Sequence, residues 1–255
     1  MWPDDDILPD QVSPTDPSPK RRRPWLRYLR NALVLFFVWF VVDMTWFMLW
    51  PDVSSLIKSN PETTAFMEYR KDQWQDAGKN KNIQWKWVRL SDISKNLTMA
   101  VTIGEDDKFW NHEGFDLEGM KDAMVRNLEG DGPMAGGSTI SQQLVKNLYF
   151  SPSKNPVRKL NEAIVTWRME RALSKKRILE LYLNCIEWGD GIFGIGAAAS
   201  HYYGKTPSQL SRLEAARLVA VLPNPIRWTP TGNSRTVAYR SKLIMQRMER
   251  RLNNQ

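Results

Sequence analysis

Cysteine and histidine are nearly absent from this chain. Its 255 residues include one cysteine, Cys185, and two histidines, His112 and His201. A single cysteine excludes a disulfide within the chain, and so few thiol and imidazole groups argue against a Cys/His metal site. We therefore expect Cys185 to be a small buried hydrophobic residue and His112 to be a structural hydrogen-bonding residue.

Sustained alternation of apolar and polar residues, the pattern of a half-buried strand, is also missing. From about residue 91 the signals are helical instead. Asn155 before Pro156 fits an N-cap and a first helical position, and Ser211 with Glu214 fits a capping box. Residues 239–253 form a basic amphipathic pattern. These signals predict an all-α domain.

Residues 32–50 form a long apolar run. As a helix it is just long enough to span the hydrocarbon core of a membrane. No small-x-small cleavage site follows it, so a retained transmembrane helix is favoured over a signal peptide. Asp43 lies within the run and is costly in lipid, and a helical partner and a tolerated charge are equal alternatives for it.

Basic residues at positions 20–23, 27 and 30 precede this run. Because positive residues stay on the cytoplasmic side, we expect the N-terminus in the cytoplasm and the chain after Pro51 outside it. Residues 1–31 would form a cytoplasmic tail with a disordered start. The net charge of +8 suits anionic lipid headgroups or diphosphate. The topology and the lack of RRM, KH or zinc-finger patterns argue against nucleic acid as a partner.

Two strings of residues carry the strongest functional signal, 105–114 (EDDKFWNHEG) and 136–147 (GGSTISQQLVKN). Shorter strings follow at 158–162 (RKLNE), 176–184 (KRILELYLN), 191–195 (GIFGI) and 203–205 (YGK). In this order they resemble the signature motifs of the peptidoglycan glycosyltransferases of family 51, over about residues 90–225. The chain is too short for the transpeptidase domain of many relatives, so it resembles the monofunctional biosynthetic members.

The resemblance implies a lysozyme-like helical fold with one N-terminal transmembrane helix. We expect a membrane helix at 32–50, a juxtamembrane segment at 51–90 and a glycosyltransferase domain at 91–255. It also implies an enzyme of the bacterial cytoplasmic (inner) membrane with one span and a periplasmic domain. Such an enzyme polymerises lipid II into linear glycan strands, forms β-1,4 bonds and releases undecaprenyl diphosphate.

This reaction needs a base for the attacking hydroxyl and positive charge for the departing diphosphate. Glu105 follows an apolar stretch and precedes two aromatic residues, surroundings that raise a carboxyl pKa. By resemblance Glu105 is the general base and Glu162 the second essential acid. The substrate-binding residues that it implies are Asp106, Ser138, Thr139, Gln142, Lys146, Lys154 and Arg158.

Helical spacing adds detail to these assignments. Thr139 and Gln142 fit a capping box, which would place both on one helix face with Lys146 and leave the start of the helix, after two glycines, open to phosphate. Glu162 lies four residues after Arg158 and could orient its guanidinium, hold a cation on the diphosphate or donate a proton. Asp106 could hydrogen-bond within its turn or hold a metal. The run 175–177 is expected to be a solvated face.

Cofactors and partners follow from the same resemblance. A Mg²⁺ ion or another divalent cation on the substrate diphosphate is left open, and no organic cofactor is expected. Expected partners are lipid II, the growing lipid-linked glycan and membrane lipids, with other cell-wall synthesis or division proteins as further candidates. The family places a mobile membrane-facing subdomain at about residues 121–133. Packing of the methionines there into the core is an equally sound alternative.

Two other functions compete with polymerisation. A lytic transglycosylase or muramidase-like enzyme would cleave peptidoglycan on a similar fold, but it has no need for the basic residues that follow the second motif. A non-catalytic scaffold would bind lipid II without turnover, and the presence of both Glu105 and Glu162 argues against it.

The apolar run and the basic residues before it generate a test of topology. A reporter enzyme that matures only outside the cytoplasm, fused after Gln255, should be active, because a single span carries the rest of the chain across the membrane. The matched control is a reporter that is active only in the cytoplasm. Activity of the control fusion instead would contradict the predicted orientation.

Overall fold

The computed structural model describes residues 24–130, 136–152 and 155–254, so the predicted cytoplasmic tail lies largely outside the described residues. Helices dominate, which confirms the predicted class. They are α1 (Pro24–Leu49), α2 (Ala65–Asp76), α3 (Lys95–Glu105), α4 (Leu117–Glu129), α5 (Ile140–Tyr149), α6 (Pro156–Ala172), α7 (Lys175–Cys185), α8 (Gly194–Tyr203), α9 (Arg212–Val221) and α10 (Arg235–Asn253).

Helix α1 contains the apolar run and confirms the predicted membrane-helix candidate. Among the described residues it is the helix that is long and apolar enough to cross a membrane. It begins before residue 32, because the basic stretch with Arg27 and Arg30 is also helical. Residues 44–255 form one compact unit, to which the rest of this description applies.

The core of that unit lies between α3, α5, α7, α8 and α9. Leu97, Val101 and Ile103 of α3 are buried, and so are Leu144 of α5 and Cys185 of α7. The buried thiol of Cys185 agrees with the expectation from sequence. Apolar residues recur at helical spacing on these helices, so each helix buries one face by packing against the others.

Helices α3 and α9 approach each other closely just before Glu105. A methyl group on Gly104 would lie 2.5 Å from Cγ1 of Val219, which is closer than two carbon atoms can pack. Glycine at position 104 therefore allows the end of α3 to lie against α9. This contact sets where the side chain of Glu105 emerges from the core.

A small sheet accompanies the helices, with strands β1 (Gln84–Trp85), β2 (Glu187–Gly189) and β3 (Ile192–Phe193) in the order β1-β3-β2. Strand β3 pairs with β1 in parallel and with β2 antiparallel. The buried amide of Asn184 on α7 binds the chain shortly after β1. It accepts a hydrogen bond from Val88 N–H at 2.8 Å and donates to Val88 O and Glu180 O. Strands this short show no readable alternation, so sequence reasoning did not find them.

The segment 51–90 is part of the compact unit. Val53, Leu56, Met67 and Trp74 are buried. Arg177 of α7 donates hydrogen bonds to Leu56 O at 2.8 Å and to the next turn of this segment. The predicted juxtamembrane segment therefore packs into the same compact unit as the predicted domain.

The structure corrects what the sequence predicted for Lys175 and Arg177. The run 175–177 was expected to be a solvated face, and this is wrong for two of its members. Lys175 pairs with Glu170 at 2.8 Å, and Arg177 is half-buried between α7 and the segment 51–90. Only Lys176 is exposed.

Arg168 of α6 donates to the last carbonyl groups of α1 and so acts as a C-terminal cap for that helix.

Helix α2 is held against the sheet by a buried ion pair. Arg70 donates from Nε and Nη2 to the two carboxylate oxygens of Glu187 at 2.8 and 2.7 Å. The two side chains are only 11% and 6% exposed. The same carboxylate accepts the Gly191 N–H at 2.9 Å, so its hydrogen-bonding capacity is used within the fold.

This ion pair generates a prediction about stability. Arg70→Met should reduce the free energy of unfolding by about 3 kcal/mol or more, because it leaves the buried carboxylate of Glu187 without its cation. The control is Lys71→Met, which removes a pair with Glu68 that is half exposed and should cost less than about 1 kcal/mol. Denaturant unfolding of the detergent-solubilised chain measures both. Equal losses in the two variants would contradict the prediction.

Candidate active site

Glu105 is the last residue of α3 and faces α5. Its Oε2 accepts a hydrogen bond from Gln143 Nε2 at 3.0 Å, and Gln143 Oε1 accepts one from the hydroxyl of the buried Tyr182 at 3.0 Å. Burial raises the pKa of Glu105, and the charge of Asp106 adds to this rise. The hydrogen bond from Gln143 and the positive charge of Arg240 oppose it. A carboxyl group with a raised pKa is suited to proton transfer near neutral pH.

Asp106 joins the first motif to the second. Its carboxylate accepts hydrogen bonds from Ile140 N–H at 2.9 Å and from His112 Nε2 at 3.0 Å. His112 Nδ1 accepts the Gly114 N–H, so the ring carries its proton on Nε2 and donates it to Asp106. His112 is therefore a structural hydrogen-bonding residue, as expected. The partners of Asp106 lie across the fold and not only within its own turn.

Side chains of the protein accept hydrogen bonds from three backbone N–H groups at the start of α5. The capping box is confirmed: Thr139 Oγ1 accepts Gln142 N–H at 3.2 Å, and Gln142 Oε1 accepts Thr139 N–H at 3.1 Å. Thr139 Oγ1 also donates to Gly114 O at 2.7 Å. Asp106 supplies the negative charge at this helix start. These three amides are therefore used within the fold, and phosphate binding at the start of α5 stays a prediction.

These contacts also show what Thr139, Gln142 and Asp106 do in the fold. All three side chains are buried, and their side-chain oxygens are used by the cap, by Gly114 and by His112. They position α5 relative to α3. Direct contact of any of them with a substrate stays a prediction.

A cluster of cations lies where α5 meets α6. Glu162 is 1% exposed and pairs with the guanidinium of Arg158 and, at 3.3 Å, with the ammonium of Lys159. Lys159 Nζ also lies 3.5 Å from the hydroxyl of Ser138. Burial lowers the pKa of Lys146, and Arg158 and Lys159 lower it further, while Glu162 opposes them. We define Lys146, Arg158 and Lys159 as the cation cluster. Lys154, another predicted site residue, lies outside the described residues.

Helix α5 connects Glu105 to the cation cluster. Gln143, which binds Glu105, and Lys146 are three residues apart on α5. Residues at this spacing lie on the same face of a helix, about 5–6 Å apart at Cβ. Through Gln143 and Lys146, the carboxyl group of Glu105 and the cation cluster therefore lie along the same face of α5.

Comparison with known proteins agrees with this arrangement. A family model described as transglycosylase matches residues 72–249. The chain belongs to this transglycosylase family. Three similar proteins are named biosynthetic peptidoglycan transglycosylase. That of Laribacter hongkongensis is 45% identical over 74% of this chain and 83% of its own length. That of Azoarcus sp. is 42% identical over 85% and 93%, and that of Aromatoleum aromaticum is 47% identical over 74% and 82%.

Sequence reasoning missed three residues of this transglycosylase site. Gln143 and Tyr182 lie within recognised motifs but were not assigned a role, although together they hold Glu105. Arg240 of α10 lies beyond the last motif, and its charge acts on Glu105. The buried Nε of Arg240 has no hydrogen-bond partner within the parts of the chain that the structure describes. The basic pattern of α10 was visible in sequence, but it did not indicate which arginine faces α3.

Helix α4 of the transglycosylase exposes an apolar face. Leu117 and Leu128 are 74% and 77% exposed, and Met124 is also exposed. A shallow groove runs from Met124 and Leu128 to Ser138 beside the cation cluster. Core packing of the methionines, one of the two alternatives from sequence, is therefore wrong for Met124. Part of the segment 121–133 lies outside the described residues.

The electrostatics of the site generate a prediction about Glu105. Arg240→Met should raise the pKa of Glu105, because it removes a positive charge that stabilises the carboxylate. The carboxyl group would then become ionised only at higher pH. A titration followed by ¹³C NMR of labelled glutamate carboxyls, assigned with Glu105→Gln, measures the shift.

The control for this titration is Lys242→Met, which removes the same charge from an exposed position of α10. It should leave the pKa of Glu105 in place. An unchanged titration in Arg240→Met, or an equal shift in both variants, would contradict a local effect of Arg240.

Proposed function

We propose that this transglycosylase polymerises lipid II into linear glycan strands, with β-1,4 bonds and release of undecaprenyl diphosphate. One observation carries the proposal: Gln143 and Lys146 of α5 hold a partly buried carboxyl group, whose pKa is raised, next to a cluster of cations. Glycosyl transfer from a sugar diphosphate needs both groups at once: a base for the incoming hydroxyl and positive charge for the leaving diphosphate.

Glu105 acts as the general base. It removes the proton of the 4-hydroxyl of the acceptor sugar while that oxygen forms a bond to the anomeric carbon of the donor. Gln143 donates to Glu105 Oε2 and is itself held by Tyr182, so the carboxylate is oriented from behind. Because its pKa is raised, the ionised carboxylate of Glu105 accepts a proton more readily than the carboxylate of an exposed glutamate does.

The cation cluster receives the leaving group. As the bond from the anomeric carbon to the diphosphate oxygen breaks, the diphosphate departs with the electron pair and gains negative charge. Lys146, Arg158 and Lys159 stabilise that charge, and a guanidinium can contact two phosphate oxygens at once. Glu162 orients the cluster, since its buried carboxylate already pairs with Arg158 and Lys159.

A resident metal ion does not fit these side chains. Within the ranges that the structure describes, no group of three His, Cys, Asp or Glu residues could hold a metal. Glu162 has cations on both carboxylate oxygens, and a further cation there would be repelled. We therefore assign Glu162 the orienting role. A divalent cation would enter only with the diphosphate, and no step is assigned to it.

The competing functions account for less of the site. Cleavage of glycan strands by a lytic transglycosylase or muramidase leaves an alkoxide that needs a carboxylic acid, and it gives the cation cluster no task. A scaffold that only binds lipid II would not need a base with a raised pKa. Polymerisation uses both parts.

Location and partners follow from the same proposal. We propose that α1 anchors the chain in the bacterial cytoplasmic (inner) membrane, with residues 51–255 on the periplasmic side, where lipid II and growing strands are used. The exposed apolar face of α4 would then contact membrane lipids. Protein partners in cell-wall synthesis or division are an extension of this proposal.

The function is tested with the purified full-length chain and labelled lipid II. Wild type should produce polymer that lysozyme digests, and Glu105→Gln should reduce the rate at least about a hundredfold, because the base is lost while the shape is kept. Binding of lipid II should be largely retained. The control is Glu113→Gln, an exposed acid of the same motif, which should stay active. Loss of only a few-fold in Glu105→Gln would contradict the assignment of the base.

A further inference from the structure

Lys146 contacts a residue that lies before the region matched by the family model. Its ammonium is 5.3 Å from the centre of the Phe66 ring, which belongs to α2. The family model begins at residue 72, and the recognised motifs begin later still. An aromatic ring at this distance attracts an ammonium through its electron-rich face.

The surroundings of Lys146 explain why such a contact is useful. Burial and the charges of Arg158 and Lys159 all disfavour the ammonium form of this lysine. Over the chain segments that the structure describes, no carboxylate pairs directly with it. A paired carboxylate would stabilise the charge but compete with a phosphate for the N–H donors. A ring stabilises the charge and leaves those donors free.

Phe66 is held in place by the structure of α2. The hydroxyl of Thr64 accepts Met67 N–H at 3.1 Å and so defines where the helix begins. Met67 is buried. Arg70 lies four residues after Phe66, on the same face of the helix, and its ion pair with Glu187 attaches α2 to the sheet. The position of the ring is therefore set by the fold.

We propose that Phe66 is a positioning residue for the diphosphate subsite, where its ring holds the ammonium of Lys146 beside Arg158 and Lys159 with its N–H donors free for phosphate oxygens. This inference rests on the proposed function, because it takes Lys146 as a ligand of the diphosphate. It makes the segment between the membrane helix and the recognised motifs a part of the active site.

The test compares Phe66→Leu, which keeps apolar bulk, with Phe66→Tyr, which keeps a ring. Phe66→Leu should lower kcat/KM for lipid II about tenfold, whereas Phe66→Tyr should stay close to wild type. Loss of the ring should also lower the pKa of Lys146, so that activity is lost at a lower pH on the alkaline side of the profile.

Two controls separate this effect from loss of structure. Met248→Ala creates a cavity at the buried face of α10 and should lower thermal stability, but it should leave the alkaline limb of the pH profile unchanged. In a Lys146→Met background, Phe66→Leu should have little further effect, because the partner of the ring is already gone.

The outcomes are distinguishable from failure of the proposed function. If Lys146→Met weakens polymerisation but Phe66→Leu leaves the alkaline limb unchanged, or has its full effect without Lys146, the inference about Phe66 is overturned alone. If Lys146→Met keeps wild-type activity, the role of Lys146 in the proposed function fails, and the inference falls with it.

Discussion

A buried carboxylate, that of Asp106, accepts hydrogen bonds from the first amide of α5 and from the ring of His112. The rest of the site depends on this contact. It attaches the start of α5 to the end of α3, so that Gln143 reaches Glu105 and Lys146 faces α6. The negative charge of Asp106 is favourable at the N-terminus of α5 because of the helix dipole. The same contact joins two residues that are distant in sequence, Asp106 and Ile140.

Helix α5 then acts as the spacer between two chemical environments. On its partly buried face Gln143 holds the carboxyl group of Glu105, whose pKa is raised by burial. One turn further, Lys146 is surrounded by cations and lies against an aromatic ring. A helix keeps the separation of these groups constant, because residues three apart on it cannot move independently.

The segment that follows the membrane helix belongs to this arrangement. Arg168 caps the end of α1, Arg177 binds the turn after it, and the ion pair of Arg70 with Glu187 attaches α2 to the sheet. These contacts fix the membrane-proximal segment to α6, to α7 and to the sheet of the candidate-site unit. A view of this segment as a passive linker does not account for them.

Sequence alone determined those features that depend on residues close together in the chain. The caps at Thr139, Asn155 and Ser211 join residues two or three positions apart, and their side-chain chemistry is legible without a structure. The same holds for the apolar length of α1 and for the pairing of Arg158 with Glu162 four residues later. The start of α10 was placed late because its cap at Ser234 was not recognised.

Only the tertiary structure decided which residues from distant parts of the chain meet. Asp106 and Ile140 are 34 positions apart, and Glu105 is influenced by an arginine on the last helix. Helical periodicity gives the face on which a residue lies but not the helix that packs against that face. For this reason the pairing of Arg158 with Glu162 could be predicted from the sequence. The contact of Asp106 with the start of α5, the Phe66 ring at Lys146 and the effect of Arg240 on Glu105 could not.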